Sequence, residues 1–173
     1  EKLRAFHRET ILEVAEKLFY ENGENVTTMD LIAKEAGYSK TTLYTYFKSK
    51  KDIYHAITLK SMKEWKRRTS QQLKQHNTIF ECYFAICEAL ADFSEESPLA
   101  FRTLTERIDL NLDDPILKEI YDVGEEINQV IAEILQKGIA EKILSPKMNI
   151  PETVLLIWSA SSGIIAMSNE KAA

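Results

Sequence analysis

The sequence predicts an all-α protein, and three observations lead to that prediction. Its 173 residues contain five glycines and four prolines, too few for the many turns of an all-β chain. Leu, Ala, Glu and Lys, which favour helices, dominate the composition. Residues that begin and end helices recur along the chain and divide it into eight helical segments.

Three helices open the chain. The first carries an apolar face and stops at Asn22-Gly23. Thr27 or Thr28 caps the second helix, and Gly37 ends it. Ser39 caps the third helix. The predicted bounds are about 3–21, 28–36 and 40–47.

Five further helices follow. Ser49 to Asp52 has the pattern of a capping box at the start of the fourth helix, and Asn77 can cap the fifth. Ser97-Pro98 and Asp114-Pro115 each place a capping residue before a proline at the first helical position. The segment from Asn149 to Pro151 begins the eighth helix. The predicted bounds are about 50–75, 78–94, 98–111, 115–142 and 150–168.

Charge is distributed unevenly along the chain. The formal net charge is −5, but residues 1–70 hold 14 Lys and Arg against 10 Asp and Glu, whereas residues 71–173 hold 8 against 17. Residues 38–51 contain four lysines and no acid. Such a basic stretch attracts phosphates locally even on an acidic protein. A solvated helix face gives the same pattern and stays open as the alternative.

The segment from Thr27 to Lys51 has the pattern of a helix-turn-helix. Two short helices flank a turn at Gly37-Tyr38-Ser39, where the glycine permits a left-handed backbone. The small Ala33 lets the two helices cross closely, and apolar side chains point toward the first helix. These side chains are Ile32, Ala36, Leu43 and Phe47. The pattern predicts a three-helix head, residues 1–49, and a helical body, residues 50–173.

The outward face of the third helix carries hydroxyl, phenol and ammonium groups. A DNA major groove admits one helix, which reads bases best through its first residues. Thr and Lys can contact base edges, whereas Tyr, Lys and backbone N–H groups bind phosphates. An ordinary amphipathic surface is the alternative interpretation. The candidate residues are Lys40, Thr41, Thr42, Tyr44, Tyr46 and Lys48.

This segment resembles the DNA-binding head of TetR-family transcriptional regulators. The resemblance covers roughly residues 6–55 and rests on the pattern Gly-x-Ser-x-x-x-Leu-Tyr-x-Tyr-Phe-x-x-Lys. The matching positions are Gly37, Ser39, Leu43, Tyr44, Tyr46, Phe47 and Lys50.

The resemblance implies which residues meet DNA. The implied phosphate contacts are Thr27, Thr28, Tyr44, Tyr46 and Lys50, and the implied base contacts are Lys40, Thr41 and Thr42. The predicted DNA-binding set also includes Tyr38, Ser39 and Lys48. Tyr38 stands where the family usually has a smaller residue, so it either contacts DNA or covers the turn.

The resemblance also implies a dimer whose bodies bind a small effector and thereby change the spacing of the two heads. The body offers aromatic side chains that could line an effector pocket, although a helical core gives the same pattern. The predicted pocket residues are Trp65, Tyr83, Phe84, Cys87, Phe101, Leu104, Tyr121, Asn128 and Trp158.

The eighth helix is apolar nearly all round and has small residues in its middle. Such a helix must be covered on both sides, so it is predicted to be buried and to form the face of a two-fold homodimer. Its uncharged run is slightly short for a membrane span. TetR-like proteins usually have a ninth helix at this interface. The sequence ends at Ala173, so either that helix lies outside it or the interface differs.

The sequence therefore predicts a cytoplasmic repressor that binds a palindromic operator in double-stranded DNA as a dimer. A small, mostly apolar or aromatic effector would release it. We expect no cofactor, metal or membrane partner, because Cys82 and Cys87 do not share a helix face, the histidines are scattered and no signal peptide is visible. Two alternatives remain: a helical protein-interaction module, and an all-α enzyme, for which no phosphate loop or zinc motif is present.

Overall fold

The structure is a computed structural model that describes residues 1–105 and 114–172, with side chains for residues 1–103 and 114–169. The described residues form eight helices and contain no strand, which confirms the predicted all-α fold. The helices are α1 (Lys2–Asn22), α2 (Met29–Glu35), α3 (Lys40–Tyr46), α4 (Lys50–Leu73), α5 (Ile79–Glu96), α6 (Pro98–Thr105), α7 (Pro115–Ala140) and α8 (Ile150–Ala172).

Side-chain caps begin most of these helices where the sequence predicts them. Ser49 accepts the Asp52 N–H at 3.1 Å to begin α4, and Asp114 accepts the Ile116 N–H at 2.9 Å to begin α7. The cap of α5 is Thr78 rather than the predicted Asn77. The Thr78 hydroxyl accepts the Glu81 N–H, and the Glu81 carboxylate accepts the Thr78 N–H in return. The predicted end of α6, near residue 111, lies outside the described residues.

The head helices and the first two turns of α4 share one core. Ile11 of α1, Ile32 of α2, Leu43 of α3 and Ile53 of α4 are all fully buried in it. Burying a side chain of this size stabilises a fold by about 1.5–3 kcal/mol. The same cluster extends along α4 to Ile57. The fourth helix therefore belongs physically to the head as well as to the body.

A second core lies in the body around Trp65 of α4. Its indole N–H donates to the Ala89 carbonyl at 2.8 Å. Its ring packs against Phe93 and Trp158 at centroid distances of 5.5 and 5.9 Å. One face of α7, with apolar residues at the three- and four-residue spacing of a helix stripe, covers this core. Of the buried residues of that face, Leu117, Ile120, Val123 and Ile127 lie in this core, whereas Ile131 and Leu135 pack with Ile86 and Val154 in a third cluster.

The eighth helix is covered by its own chain on one side only. One face packs on the body through partly buried residues such as Ile157 and Trp158, but Leu156 is 68% and Ile164 69% exposed. The segment Ile150–Asn169 is long and apolar enough, by length and composition, to cross a membrane, and only 17% of its most apolar window is buried. Hydrophobicity around a helix does not reveal whether its own chain or a second copy supplies each neighbour, so the dimer face at α8 stays a prediction.

Candidate nucleic-acid interface

The turn between α2 and α3 is built from backbone hydrogen bonds and one glycine. Gly37 has a backbone φ of +74°, a conformation that residues other than glycine rarely adopt. The Tyr38 N–H donates to the Ala33 carbonyl at 2.9 Å and closes the turn. Ser39 then caps α3 by accepting the Thr42 N–H at 3.0 Å. These contacts set the direction in which α3 leaves α2.

The third helix buries one side and exposes the other. Leu43 and Phe47 lie in the head core, whereas Tyr44 is 43% exposed. Thr45 is also exposed although it was not predicted as a site residue, and its hydroxyl donates to the Thr42 carbonyl at 2.7 Å. Of the predicted DNA-binding residues, Thr28, Ser39, Lys40, Thr41, Tyr44 and Lys48 are exposed, and Tyr38, Thr42, Tyr46 and Lys50 are half-buried.

Thr27 departs from its implied role as a phosphate contact. Its side chain is 0% exposed, and its hydroxyl lies 3.1 Å from the Leu18 carbonyl and 2.9 Å from the Gly23 carbonyl. The hydroxyl therefore adds a further donor to carbonyls at the end of α1 and just after it, and so joins the residue before α2 to α1. Its exposed neighbour Thr28 is the cap of α2 and accepts the Leu31 N–H at 3.2 Å.

Lys40, an implied base contact, is held by an acidic neighbour. Its ammonium lies 2.7 Å from one carboxylate oxygen of Asp30 and 3.0 Å from the other. The hydrogen bond with Asp30 raises the pKa of Lys40 above its usual range. Both side chains are mostly exposed, and such surface pairs are worth little net free energy. A base edge or a phosphate can therefore compete with Asp30 for this ammonium.

Lys50 and Lys48 are placed differently although only one residue separates them. The Lys50 ammonium donates to the Glu24 carbonyl, in the loop that follows α1. Lys48 is exposed and has no ion-pair partner among the described residues. Its backbone N–H donates to Asp52 at 3.0 Å, which fixes the chain at the start of α4. Of these two lysines, Lys48 has the ammonium that is free to bind an anion.

His7 reaches the end of α3 from α1, a contact that the sequence does not indicate. Its Nδ1 lies 3.0 Å from the Tyr46 hydroxyl, and its ring stands 5.2 Å from the Tyr38 ring, centroid to centroid. The next residue, Arg8, places its guanidinium carbon 5.0 Å from the centroid of the Phe47 ring. Thirty-nine residues separate His7 from Tyr46, so no helical spacing relates them. The start of α1 therefore forms one edge of the same surface.

A separate cleft opens in the body between α7 and α8, with Met62 of α4 at its floor. Its volume is about 260 Å³, and its walls are mostly apolar. Three predicted pocket residues line it: Tyr121, Asn128 and Trp158. Lining residues that were not predicted include Met62, Ile120, Gly124, Glu125, Val154 and Leu155.

The other predicted pocket residues lie elsewhere. Trp65 and Phe101 are buried in the body core, and Tyr83 and Phe84 are exposed on α5. A hydrogen bond with the half-buried Cys87 thiol raises the pKa of Tyr83. The side chain of Leu104 lies outside the described residues. Of the predicted pocket aromatics, therefore, only Tyr121 on α7 and Trp158 on α8 line this cleft.

A wider groove of about 710 Å³ separates the second half of α1 from the junction of α5 and α6. Carboxylates line it from both sides, including Glu13, Glu16 and Glu95. Burial raises the pKa of Glu16, the nearby Glu9 and Glu13 raise it further, and Lys60 opposes the rise. This negative surface lies on the half of α1 that is remote from His7.

Residues 11–57 match the family model of bacterial regulatory proteins, tetR family. The match ends at Ile57, which is also the last α4 residue of the head core. An HTH-type transcriptional regulator of Bacillus subtilis, YhgD, is 36% identical over 85 residues, which cover 47% of this chain and 44% of that relative. The chain thus spans about half the length of the curated relatives it matches, between 44% and 66% for the first three.

Two solved structures are similar over most of the chain. The TetR-family transcriptional regulator PfmR of Thermus thermophilus has a TM-score of 0.73 at 25% identity, covering 90% of this chain and 83% of that one. The regulator FadR of Bacillus subtilis, solved in complex with stearoyl-CoA, has a TM-score of 0.75 at 19% identity, covering 94% and 89%. The second likeness is one of fold alone.

Proposed function

We propose, from the premise that this chain belongs to the TetR family of bacterial regulators, that it controls transcription by binding duplex DNA as a homodimer. The family match confirms the resemblance predicted from the sequence. The single observation that carries the proposal is the exposed face of α3, where ammonium, hydroxyl and phenol groups stand on a helix-turn-helix with a closed turn. A DNA partner would place the protein in the cytoplasm.

The proposed contacts divide by chemistry. Thr41 and Lys40, in the first turn of α3, would face base edges, the latter after leaving Asp30. Tyr44, Lys48 and Thr28 would bind phosphates, because each is exposed and carries a donor. Phosphate contacts give affinity for any duplex, whereas base contacts give preference among sequences. Both kinds are therefore separable by experiment.

The exposed face of α8 supports the proposed homodimer. Two copies of a helix with large apolar side chains such as Leu156 and Ile164 can cover one another around a two-fold axis. The small residues Ser159, Ala160 and Gly163 between them allow close approach of two helices. A second copy of the chain would supply the neighbours that α8 lacks on this side.

The cleft between α7 and α8 is the proposed effector site. Its apolar walls suit an apolar or aromatic molecule, and Asn128 and Glu125 supply polar groups at its edge. Met62 lies at the cleft floor on α4, the helix whose first turns are part of the head core. An effector that prefers one position of α4 would shift the population of head spacings. In the proposed repressor, that shift releases DNA.

The first test measures binding of fluorescein-labelled duplexes that the protein enriches from a random pool, at several salt concentrations. Affinity should fall linearly on a logarithmic scale with rising salt, because bound phosphates release counterions. Tyr44→Phe removes one phenol donor and should weaken binding to all duplexes alike, by roughly two- to tenfold. Thr41→Val should instead change the order of preference among duplexes.

Tyr20→Phe is the matched control, because Tyr20 is a 79% exposed tyrosine on the second half of α1. Its affinity should equal that of the unchanged protein. Affinity that does not vary with salt, or equal losses for the two tyrosine variants, would contradict the proposal. Binding to an acidic protein partner that duplex DNA cannot displace would favour a protein-interaction module instead.

A further inference from the structure

The start of α1 adds positive charge and one histidine to the edge of the proposed DNA surface. Lys2, Arg4 and Arg8 lie within its first seven residues, and none of them has a carboxylate partner among the described residues. His7 stands between them and the end of α3, in contact with Tyr46 and Tyr38. Phosphates that approach Tyr46 would therefore also approach His7.

The contact between His7 and Tyr46 has two possible proton arrangements. A neutral imidazole has one N–H, and a phenol has one O–H. If the His7 proton is on Nε2, the Tyr46 hydroxyl must donate to Nδ1, and its only donor is then consumed. If the proton is on Nδ1, the imidazole donates to the phenol oxygen, and the phenol proton stays available for another acceptor. The two arrangements differ in what Tyr46 can offer to a phosphate.

Protonation of His7 removes the first arrangement. An imidazolium carries a proton on both nitrogens, so Nδ1 can only donate to the Tyr46 oxygen. The phenol proton is then directed outward, and a hydrogen bond received by the phenol oxygen strengthens the bond that it donates. The imidazolium also adds a positive charge near the phosphate.

We propose that His7 is a positioning residue of the DNA interface, which frees the Tyr46 hydroxyl for a DNA phosphate when it carries a proton on Nδ1. Duplex binding should then strengthen as His7 becomes protonated. This inference rests on the proposed function, because it needs a duplex that contacts α3. The role differs from a purely structural contact, since a structural contact would not make DNA affinity follow the protonation of one histidine.

The surroundings of His7 permit this titration to affect the interface. The charged or titratable groups near it are Arg4 and Arg8 on its own helix, Tyr38 in the turn and Tyr46 on α3. In the described part of the chain, no carboxylate forms a hydrogen bond or ion pair with His7. An imidazolium there would therefore have no described carboxylate in direct contact.

The experiment measures the dissociation constant of a fluorescein-labelled, mixed-sequence duplex of about 30 base pairs at fixed low salt, between about pH 8 and pH 5.5, where an ordinary histidine gains its proton. The unchanged protein should bind up to roughly tenfold more tightly at the acid end, because protonation removes the arrangement that consumes the phenol proton. His7→Phe should lose this pH dependence, Tyr46→Phe should keep only the part due to the charge of His7, and the double variant should lose no more than His7→Phe.

Two further variants make the result specific. His7→Asn places an amide N–H near the position of Nδ1 without a group that titrates, so its affinity should be tight and independent of pH. His76→Phe replaces a histidine in the loop between α4 and α5 and should keep the full pH dependence. Thermal unfolding of each variant by circular dichroism verifies that the head is folded at both pH values.

Each outcome bears on a distinct part of the reasoning. A pH profile of the unchanged protein that matches His7→Phe would overturn the role of His7. A pH dependence of undiminished size in Tyr46→Phe would overturn it too, because the charge of His7 alone would then account for it. In both cases salt-dependent binding by the unchanged protein would leave the proposed function intact. Absence of any duplex binding at either pH would refute both.

Discussion

Replacing Thr27 by valine should destabilise the head without weakening its contact with DNA. Valine has nearly the shape of threonine, so the change leaves no cavity and removes only the hydroxyl. That hydroxyl is fully buried and lies within 3.1 Å of the Leu18 carbonyl and 2.9 Å of the Gly23 carbonyl. The change therefore separates a structural role of this threonine from the phosphate contact that its position in the family motif implies.

The size of the effect follows from these two contacts. A protein hydrogen bond contributes about 0.5–1.5 kcal/mol net, and a buried acceptor left without a partner costs about 1–3 kcal/mol. The Gly23 carbonyl keeps the backbone N–H of residue 27 at 3.2 Å, and the Leu18 carbonyl keeps its helical N–H partner within α1, so neither is left without a partner. We expect the free energy of unfolding to fall by about 0.5–1.5 kcal/mol. With a urea dependence of about 2 kcal/mol per molar, the midpoint should shift down by roughly 0.3–0.8 M.

Two measurements decide whether Thr27 stabilises the head or contacts DNA. Urea unfolding, followed by circular dichroism at one fixed protein concentration, gives the stability change, since dimerisation makes stability depend on concentration. Duplex binding below the unfolding transition gives the affinity, which should be unchanged. Thr28→Val is the matched control: it removes the exposed cap bond to the Leu31 N–H, so it should lower both stability and affinity. Normal stability with weakened DNA binding in Thr27→Val would refute the reasoning.

Three other predictions test the dimer, the acidic groove and the charge of the DNA surface. Leu156→Glu should convert the dimer to a monomer in sedimentation, because it removes roughly 1–2 kcal/mol of apolar burial per protomer and adds a charge. An unchanged dimer, or flotation with lipid vesicles that depends on α8, would contradict a second copy of the chain as the partner of α8. Glu16 has a pKa raised chiefly by burial, so the native state binds its proton more tightly than the unfolded chain, and the free energy of unfolding falls as pH rises through that range. Glu16→Gln should therefore unfold at higher urea at neutral pH, with the gain lost near about pH 4; an equal gain at both pH values would point to another cause. Lys48→Gln should lower the salt dependence of DNA binding by about one counterion. Lys66→Gln is the control and should not lower it, because Lys66 pairs with Glu126. Equal effects of the two variants would place the DNA away from α3.

What the sequence predicted well depends on interactions between residues three or four apart. A serine or aspartate that caps a helix accepts an N–H from the next turn, so Ser39, Ser49 and Asp114 were identifiable from their neighbours alone. The buried positions of α2 and α3 follow from the same periodicity. The fold of the head was therefore predictable almost residue by residue.

The features that the sequence could not predict depend on contacts between distant segments of the chain. Thr27 and Thr28 have the same side chain, and only the position of α1 decides which one turns inward. His7 meets Tyr46 across 39 residues. In the body, Trp65 and Tyr121 are both aromatic residues on helices, yet the first lies in the core and the second in the cleft. Composition and spacing do not distinguish these cases.

The net positive charge of residues 1–70 lies on one segment of α4. The excess of four positive charges over residues 1–70 comes entirely from residues 60–70, with five basic residues against one acid, because residues 1–59 contain nine of each sign. All five of these basic residues lie on α4 and form ion pairs with glutamates of α1, α4, α5 and α7. Four of them link α4 to α1, α5 or α7 and Arg67 pairs within α4, so each of these charges already has a carboxylate partner.

The attraction for DNA must instead come from how a neutral head separates its charges. The acids Glu13 and Glu16 lie on the second half of α1, at the groove facing α5 and α6. The free cations lie at the opposite end: Arg4 at the start of α1 and Lys48 after α3, neither with a carboxylate partner among the described residues. Since salt screens exposed charges beyond about 10 Å, a phosphate near α3 is affected by these local cations and hardly by the distant acids. A head with almost no net charge can therefore hold a polyanion where cations without carboxylate partners lie near α3.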